Sequence, residues 1–550
     1  MTPPSSATAP ATTATSAPPP PPPQPAPTSA SPYRLQFSGG YTSLALGSGA
    51  PTYTGGQFQA TVGQSFTPHP NHHIFFNGVF RVGSLSNSAG ENISLVHFGF
   101  ETGYELWLAP RIASLFTFVG LGSNILYSQQ AGIAPGITRS LNNQSMTALT
   151  LGGGLTLGNG IFVFSGGWQP NFGLQIPYDE TGSAPPRGFN PTAWFVNFGI
   201  DVARLIDWAG GTFPREVSAD RWFRGITPGF LVDTTYTYNF GQPADGTNQL
   251  RVFGSRWDRP MFNDMGLSLD RAVDADNPFG FRFNFHVGEN EAGARARSSF
   301  SGDWYDLREF YARLRLPIGR GLTLQGGKFV SPIGNEVLDS LSNNHVSHSF
   351  QFLYAEPFTH LGLTAAYSFT DDVTLTTGFV NGWDNVLDHS AGLAGLAALS
   401  VNWTPQFSTA FAGTLGDEGG RLRSIFDVVA TLKPVDGLSF AINYDWGHEG
   451  DGAGMPAANW HALSLTGRYD FNRYVGLSAR GEVFADQQGT RTGNAQTLSE
   501  FTGTLHVTPL PWMRLRAEFR HDASSGTPFL AGTQHVGDQN TLAIGAGVLF

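Results

Sequence analysis

The feature that most constrains this chain is a two-residue alternation, recurring in segments of about ten residues from Tyr33 to the last residue. Successive side chains of a strand point to opposite faces, so this period makes one face apolar and the other small or polar. Along residues 279–287, Phe279, Phe281, Phe283, Phe285 and Val287 share a face, opposite Arg282, Asn284 and His286. Residues 438–446 set Leu438, Phe440, Ile442, Tyr444 and Trp446 against Ser439, Ala441, Asn443 and Asp445. Residues 513–522 set Met513, Leu515, Ala517 and Phe519 against Arg514, Arg516, Glu518 and Arg520. Trp194, Val196, Phe198 and Ile200 alternate with Phe195, Asn197, Gly199 and Asp201.

Alternation alone fits a soluble sandwich or a membrane barrel. Segment length and connections decide. Strands of about ten residues suit tilted bilayer crossings, whereas soluble strands have a mode of about five or six. Tight turns near residues 509–511, 471–474, 434–437, 404–406 and 369–372 alternate with longer polar loops near 523–539, 486–495, 447–458 and 382–393, and a shorter one at 416–420. Short turns on one side and long loops on the other are the habit of outer-membrane barrels. Composition agrees. Charged residues make up 13% of the chain, against about 25% in soluble proteins. No apolar run approaches the roughly 20 residues of a membrane helix. The net charge of −11 argues against a nucleic-acid partner, which needs a basic face. Cysteine is absent, which removes disulfides and thiolate metal sites.

The expected fold is all-β, with antiparallel transmembrane barrels of about 8 and then about 16 strands. Residues 1–32 carry no charge and are mostly Pro, Ala, Ser and Thr, with prolines from Pro18 to Pro23. They read as a disordered tail. They lack the basic and apolar regions of a secretory signal, so a processed chain or an upstream translation start is expected. Residues 33–205 form the small barrel, 206–228 a periplasmic linker and 229–550 the large barrel. The raw count for the last block is 17. The odd one falls in residues 249–272, where two short strands flank 257–262 and can be one bent strand. A single barrel of about 24 strands is the alternative.

Many pieces of the large block resemble the OmpL-like β-barrel porins of the outer membrane. They run from Phe230-Leu231-Val232-Asp233, Tyr236, Tyr238-Asn239-Phe240 and Arg251-Val252-Phe253 to residues 327–336, beginning Gly327-Lys328-Phe329. Residues 357–362, 380–385, 443–447, 480–486 and 518–522 continue the likeness. The resemblance implies a pore-forming barrel. The small block is only generically similar to eight-stranded outer-membrane barrels.

The face opposite the apolar stripe gives the pore-lining candidates Arg282, Glu309, Arg313, Arg315, Arg480, Glu482, Arg514, Arg516, Glu518 and Arg520. Rings of charge at a constriction set ion preference, and the excess of arginine suggests mild anion preference. The competing reading is an Arg–Glu ladder that stiffens the wall. Residues 331–357 form the longest loop of the large block, with Glu336, Asp339, His345 and His348 as candidates if it folds inward to constrict the lumen. Leu542, Ile544, Ala546, Val548 and Phe550 end the chain in an amphipathic strand like the signal read by the barrel-assembly machinery. No metal or cofactor is expected. His69, His72 and His73 read as a surface turn without a nearby carboxylate, and residues 274–277 do not match a calcium loop. Expected partners are the lipid bilayer, lipopolysaccharide, the assembly machinery and small hydrophilic solutes. The expected function is passive diffusion through a porin. A structural or adhesion anchor with plugged barrels is the alternative, and the inward Phe195 hints at a filled small barrel. A barrel enzyme assembling Ser, His and Asp from separate strands is the third reading.

Overall fold

The computed structural model describes residues 32–47, 52–69, 71–90, 92–109, 112–127, 144–176, 189–209, 225–291, 301–302, 304–384, 393–452 and 454–550. The expected N-terminal tail and most of the expected linker lie outside these residues.

Two closed antiparallel barrels account for the described strands apart from a small hairpin, Phe529–Ala531 with Gln534–Val536, which settles the question of one barrel or two. Eight strands, from Tyr33–Gly47 to Phe189–Asp201, close when the last pairs with the first, Phe37 opposite Ile200. The large barrel runs from Thr227–Asn239 to Asp538–Leu549, and these two strands close it with Ile544 opposite Tyr236. Closure satisfies the backbone hydrogen bonds that lipid cannot. Phe550 extends the seam: its N–H donates to Phe230 O (2.9 Å), and its ring stacks on Trp512.

The alternation works as read. Phe440, Ile442, Tyr444 and Trp446 are exposed on the outer wall, while Asn443 and Asp445 between them are buried inside. Every expected tight turn of the large barrel joins two paired strands, as between Leu422–Val435 and Leu438–Glu449.

Two expectations need correction. Residues 249–272 hold one strand, Met261–Arg271, rather than two strands or one bent strand. Arg251-Val252-Phe253 alternates like a strand but belongs to a loop turned into the barrel, with Arg251 and Phe253 both buried. Removing this false strand leaves sixteen, the two-residue piece Ser301–Gly302 merely extending the sheet beside Tyr305–Leu316. The histidine turn is also only partly a surface turn. His73 points inward and is buried, with Nδ1 3.9 Å from Glu105 Oε2.

A short helix, Val202–Trp208, follows the small barrel, and the Asp201 side chain caps it by accepting from Arg204 N. The two outer walls meet side by side. Leu35 and Val62 of the small barrel pack with Ala312 and Leu314 of the large one, and Phe100 meets Phe310 edge-on with centroids 4.0 Å apart. A groove of about 1130 Å³ lies between the walls, lined by Phe76, Phe100, Leu121, Phe281, Phe283 and Phe310.

Candidate functional site

The lumen of the large barrel is the candidate site, and the register shows what lines it. Arg514, Arg516, Glu518 and Arg520 lie opposite Gly547, Gly545, Ala543 and Thr541 on one side. On the other side, His506, Thr504 and Thr502 face Arg516, Glu518 and Arg520, and Arg480 and Glu482 face Thr502 and Glu500. On the far wall Arg282 pairs with Tyr311, Gly280 with Arg313, and Asn284 with Glu309. All ten pore-lining candidates therefore share the inward face.

Most do not meet open water. Residues 331–358 turn back into the barrel, through a 3₁₀ turn at Ser340–Ser342 and a π-helical turn at Gln351–Ala355. The candidate wall residues hold this loop by its backbone. Glu518 accepts from Val346 N (2.6 Å) and Ser347 N (3.1 Å), and Glu482 accepts from Phe350 N (2.5 Å) and Gln351 N (3.2 Å). Arg516 donates to Ser340 O (2.6 Å) and His345 O (3.0 Å), and Arg520 to His348 O (2.6 Å). Charge-assisted bonds of this kind are about twice as strong as neutral ones. The wall supplies charge, and the loop supplies unpaired amides and carbonyls.

Arg480 joins both systems, bonding to Glu336 of the loop and, at 2.6 Å, to Glu500 of the wall. Burial pushes the Glu336 carboxyl up, but Arg480, His348 and the hydrogen bonds from Ser349 together outweigh it and hold the group below the ordinary carboxylate range. Asp339 pairs with Arg308, which also reaches Glu291 (2.6 Å) and Asp264 (3.1 Å). His345 Nδ1 lies 2.8 Å from Thr504 Oγ1, and His348 Nε2 lies 2.9 Å from Val337 O. Burial, reinforced for His345 by Arg480, lowers both imidazoles below their ordinary value. The structure thus gathers Glu336, Asp339, His345 and His348 under the arginine wall.

The remaining candidates divide in two. Arg282 and Arg313 are partly exposed but ion-paired, Arg282 to Glu309 (2.5 Å) and Arg313 to Asp270 (2.6 Å). Among the described residues, Arg315 and Arg514 donate to backbone carbonyls alone, Arg315 to that of Arg320 and Arg514 to those of Pro511 and Met513, and both are partly exposed.

Sequence reasoning missed several members. Arg251 reaches Asp522 (2.9 Å), and Phe253 packs on Phe352 and Phe358, so the loop after Thr227–Asn239 also enters the lumen. Arg491 enters from another loop and donates to Tyr354 O (2.6 Å). Its signal was a lone cation in a polar loop, which looks like any solvated residue. Ser478 and His506 form a Ser–His contact of 2.8 Å, but the Ser478 hydroxyl donates to Asn344 O under the loop.

The small barrel is filled differently. Arg81 donates to Gln59 (3.0 Å) and lies 3.7 Å over the Phe195 ring, and Asn197 donates to Gln59 (2.8 Å). Asn124 and Gln169 continue the network. At the end near the helix, Arg34 (2.5 Å) and Arg204 (2.8 Å) both clamp Glu105.

The family model described as "Putative beta-barrel porin-2, OmpL-like" matches residues 225–550. The chain belongs to this family. As an OmpL-like porin it is an outer-membrane protein with a porin-type channel fold. No curated protein matches it in sequence. Among solved structures, the OmpL-like porin is similar to the outer membrane channel DcaP of Acinetobacter baumannii (12% identity, 59% of this chain and 97% of that chain, TM-score 0.42). It is also similar to an anion-selective porin from Comamonas acidovorans (11%, 59% and 99%, 0.42) and to Pseudomonas putida OprB (10%, 60% and 96%, 0.42).

Proposed function

We propose that the large barrel passes small hydrophilic solutes or ions by passive diffusion, through a lumen narrowed by residues 331–358. The observation that carries this reading is the docking of that loop on Arg480, Glu482, Arg516, Glu518 and Arg520. A loop held by its backbone forms a fixed constriction and leaves its remaining surface to the solute. The ten pore-lining candidates then split into wall charges that hold the loop and charges that meet the solute. Arg315 and Arg514, with no carboxylate partner among the described residues, favour a mild anion preference. The chain acts without catalysis in this reading. The filled lumen of the small barrel favours the anchoring role for that part. Phe550, sealing the last strand against the first of its barrel, fits a role in recognition by the assembly machinery.

Conductance of the purified full chain in planar bilayers tests the proposal. Open steps are expected, with reversal toward anions in a salt gradient. Removing residues 337–349 should raise the unit conductance severalfold. Silence from a folded barrel, or clear cation selectivity, overturns the respective part.

A further inference from the structure

Three carboxylates meet where the end of the re-entrant loop touches the wall. Asp427 and Asp445 are direct register partners on the strands Leu422–Val435 and Leu438–Glu449. Glu356 follows the π-helical turn and arrives from above. One oxygen from each lies within 4.8 Å of the others. Like charges set directly opposite on adjacent strands destabilise a sheet, and a third carboxylate compounds the cost.

Among the described residues, no cation forms an ion pair with any of the three. The strongest charges acting on Glu356 are carboxylates: burial comes first, then Asp445 and Asp427, and together they push its carboxyl well above the usual range. The second cluster of this kind, Asp264, His286 and Asp339, contrasts directly, because Arg308 sits among its acids.

The hydrogen bonds leave the inner oxygens free. Asn443 donates to Asp427 Oδ1 (2.5 Å) and Gln351 to Asp445 Oδ2 (3.0 Å). Glu356 Oε2, Asp427 Oδ2 and Asp445 Oδ1 take no bond from an N–H or hydroxyl donor among the described residues, and the Asp445 carboxyl lies within hydrogen-bond reach of the other two carboxyls, although the three residues are at most 2% exposed. Gln351, equally buried, carries a neutral oxygen, Oε1, that also lacks a partner. Gly334, at φ +93°, permits the close fit: a Cβ there would collide with the Glu356 carboxylate. Buried polar atoms are rarely left unpaired, and each exception calls for a ligand, a proton or water.

We propose that Glu356, Asp427 and Asp445 bind a divalent cation of the calcium class, which fastens the end of the re-entrant loop to the barrel wall. The donors are all oxygen, which selects a hard cation over zinc or copper. Calcium accepts carboxylates and amide carbonyls together in an irregular shell, and two positive charges offset most of three negative ones. The site would make the loop's position depend on the cation.

Terbium, a luminescent stand-in for calcium, gives a direct test on the full chain refolded without lipopolysaccharide. Trp460 Nε1 donates to Ala355 O (3.2 Å), which sets an indole beside the site to sensitise emission. Saturable emission from one site per chain is expected, displaced by calcium. Glu356→Gln with Asp445→Asn should weaken it at least tenfold, with heat-dependent gel mobility confirming that the variant is folded. Equal binding by that variant, or no saturable binding by folded wild type in millimolar calcium, overturns the proposal in favour of a proton-sharing triad. Should the variant not fold, wild type alone decides. Chymotrypsin should cut near Phe350, Phe352 and Tyr354 several times faster in chelator than in calcium, and equal rates overturn the proposal. Binding is read without conduction, so failure here leaves the pore reading intact, and a silent pore leaves this one intact.

Discussion

The two barrels obey the same alternating code and put similar residues inside, yet their lumens differ in kind. Barrel radius grows with strand number, and eight strands leave an interior that side chains can fill. In the small barrel they do: Gln59 meets Asn197, and Arg81 covers Phe195. With sixteen strands the walls stand too far apart to meet. There the inward arginines and glutamates reach a folded loop instead, as Arg516 reaches Ser340 and His345. An inward charge is therefore no measure of a pore. Its role follows from strand number and from whether a loop returns to it.

The sharpest way to break this comparison is to remove one charge from each lumen. Glu105→Gln leaves Arg34 and Arg204 without their shared carboxylate. Arg480→Gln strips Glu336 of its cation and leaves Glu500 with Arg520 alone, 3.5 Å away. Breaking a buried pair from one side costs about 3–5 kcal/mol. For Glu105→Gln that loss should appear as lower resistance of the small barrel to denaturant, with conductance unchanged. For Arg480→Gln it should appear as loop release, with larger and noisier channel steps. A new conductance from Glu105→Gln would show that the small barrel is gated rather than sealed.

A smaller effect comes from pH. His345 and His348 are held neutral by burial, with pKa values below their unfolded value of 6.5. The unfolded or undocked state therefore binds more protons, so docking weakens as pH falls from about 6.5, by about 1.4 kcal/mol per unit for each full proton. Glu336, held low, acts in the same direction: its contribution is present above about 4.5 and fades below. Channel steps should grow and become noisier as pH drops from 7 to 5. His345→Asn should flatten this trend. The small barrel, whose described residues include no docked loop, should contribute nothing to it.

Much of this was legible in the sequence because a period of two assigns each side chain to a face. The turns at residues 434–437 and 471–474, and the inward set from Arg282 to Arg520, followed from that rule. Depth was not legible. Nothing local distinguishes an inward Arg520 facing water from one under a loop, because the partner lies about 170 residues away. Arg251-Val252-Phe253 misled because a re-entrant loop that anchors alternate residues mimics a strand. The carboxylate triad was not legible either: counted back from the turn at 434–437, Asp427 falls opposite Tyr444, and a register shift between Leu432 and Val435 is what sets it opposite Asp445. Only Glu356, delivered by the fold, turns that pair into a site.

The contact between the barrels carries the smallest expected effect. Lipid tails are as apolar as the side chains they would replace, so the walls gain only close packing from meeting. The edge-on pair Phe100 and Phe310 should contribute about 0.5–1.5 kcal/mol, consistent with two barrels that remain separate units. A Cβ added at Gly78 would lie 3.1 Å from Ala312 Cβ. That is close to the separation in a disulfide, slightly short of its usual range. The chain has no cysteine of its own. Gly78→Cys with Ala312→Cys should therefore cross-link on mild oxidation, giving a faster-migrating band that reductant abolishes. Adding Phe310→Leu should slow cross-linking by roughly two- to tenfold, the factor that corresponds to one aromatic contact. No cross-link in a folded double variant would mean that the barrels sit apart in the bilayer. The same rate with and without Phe310 would leave their adjacency to the short connection between them.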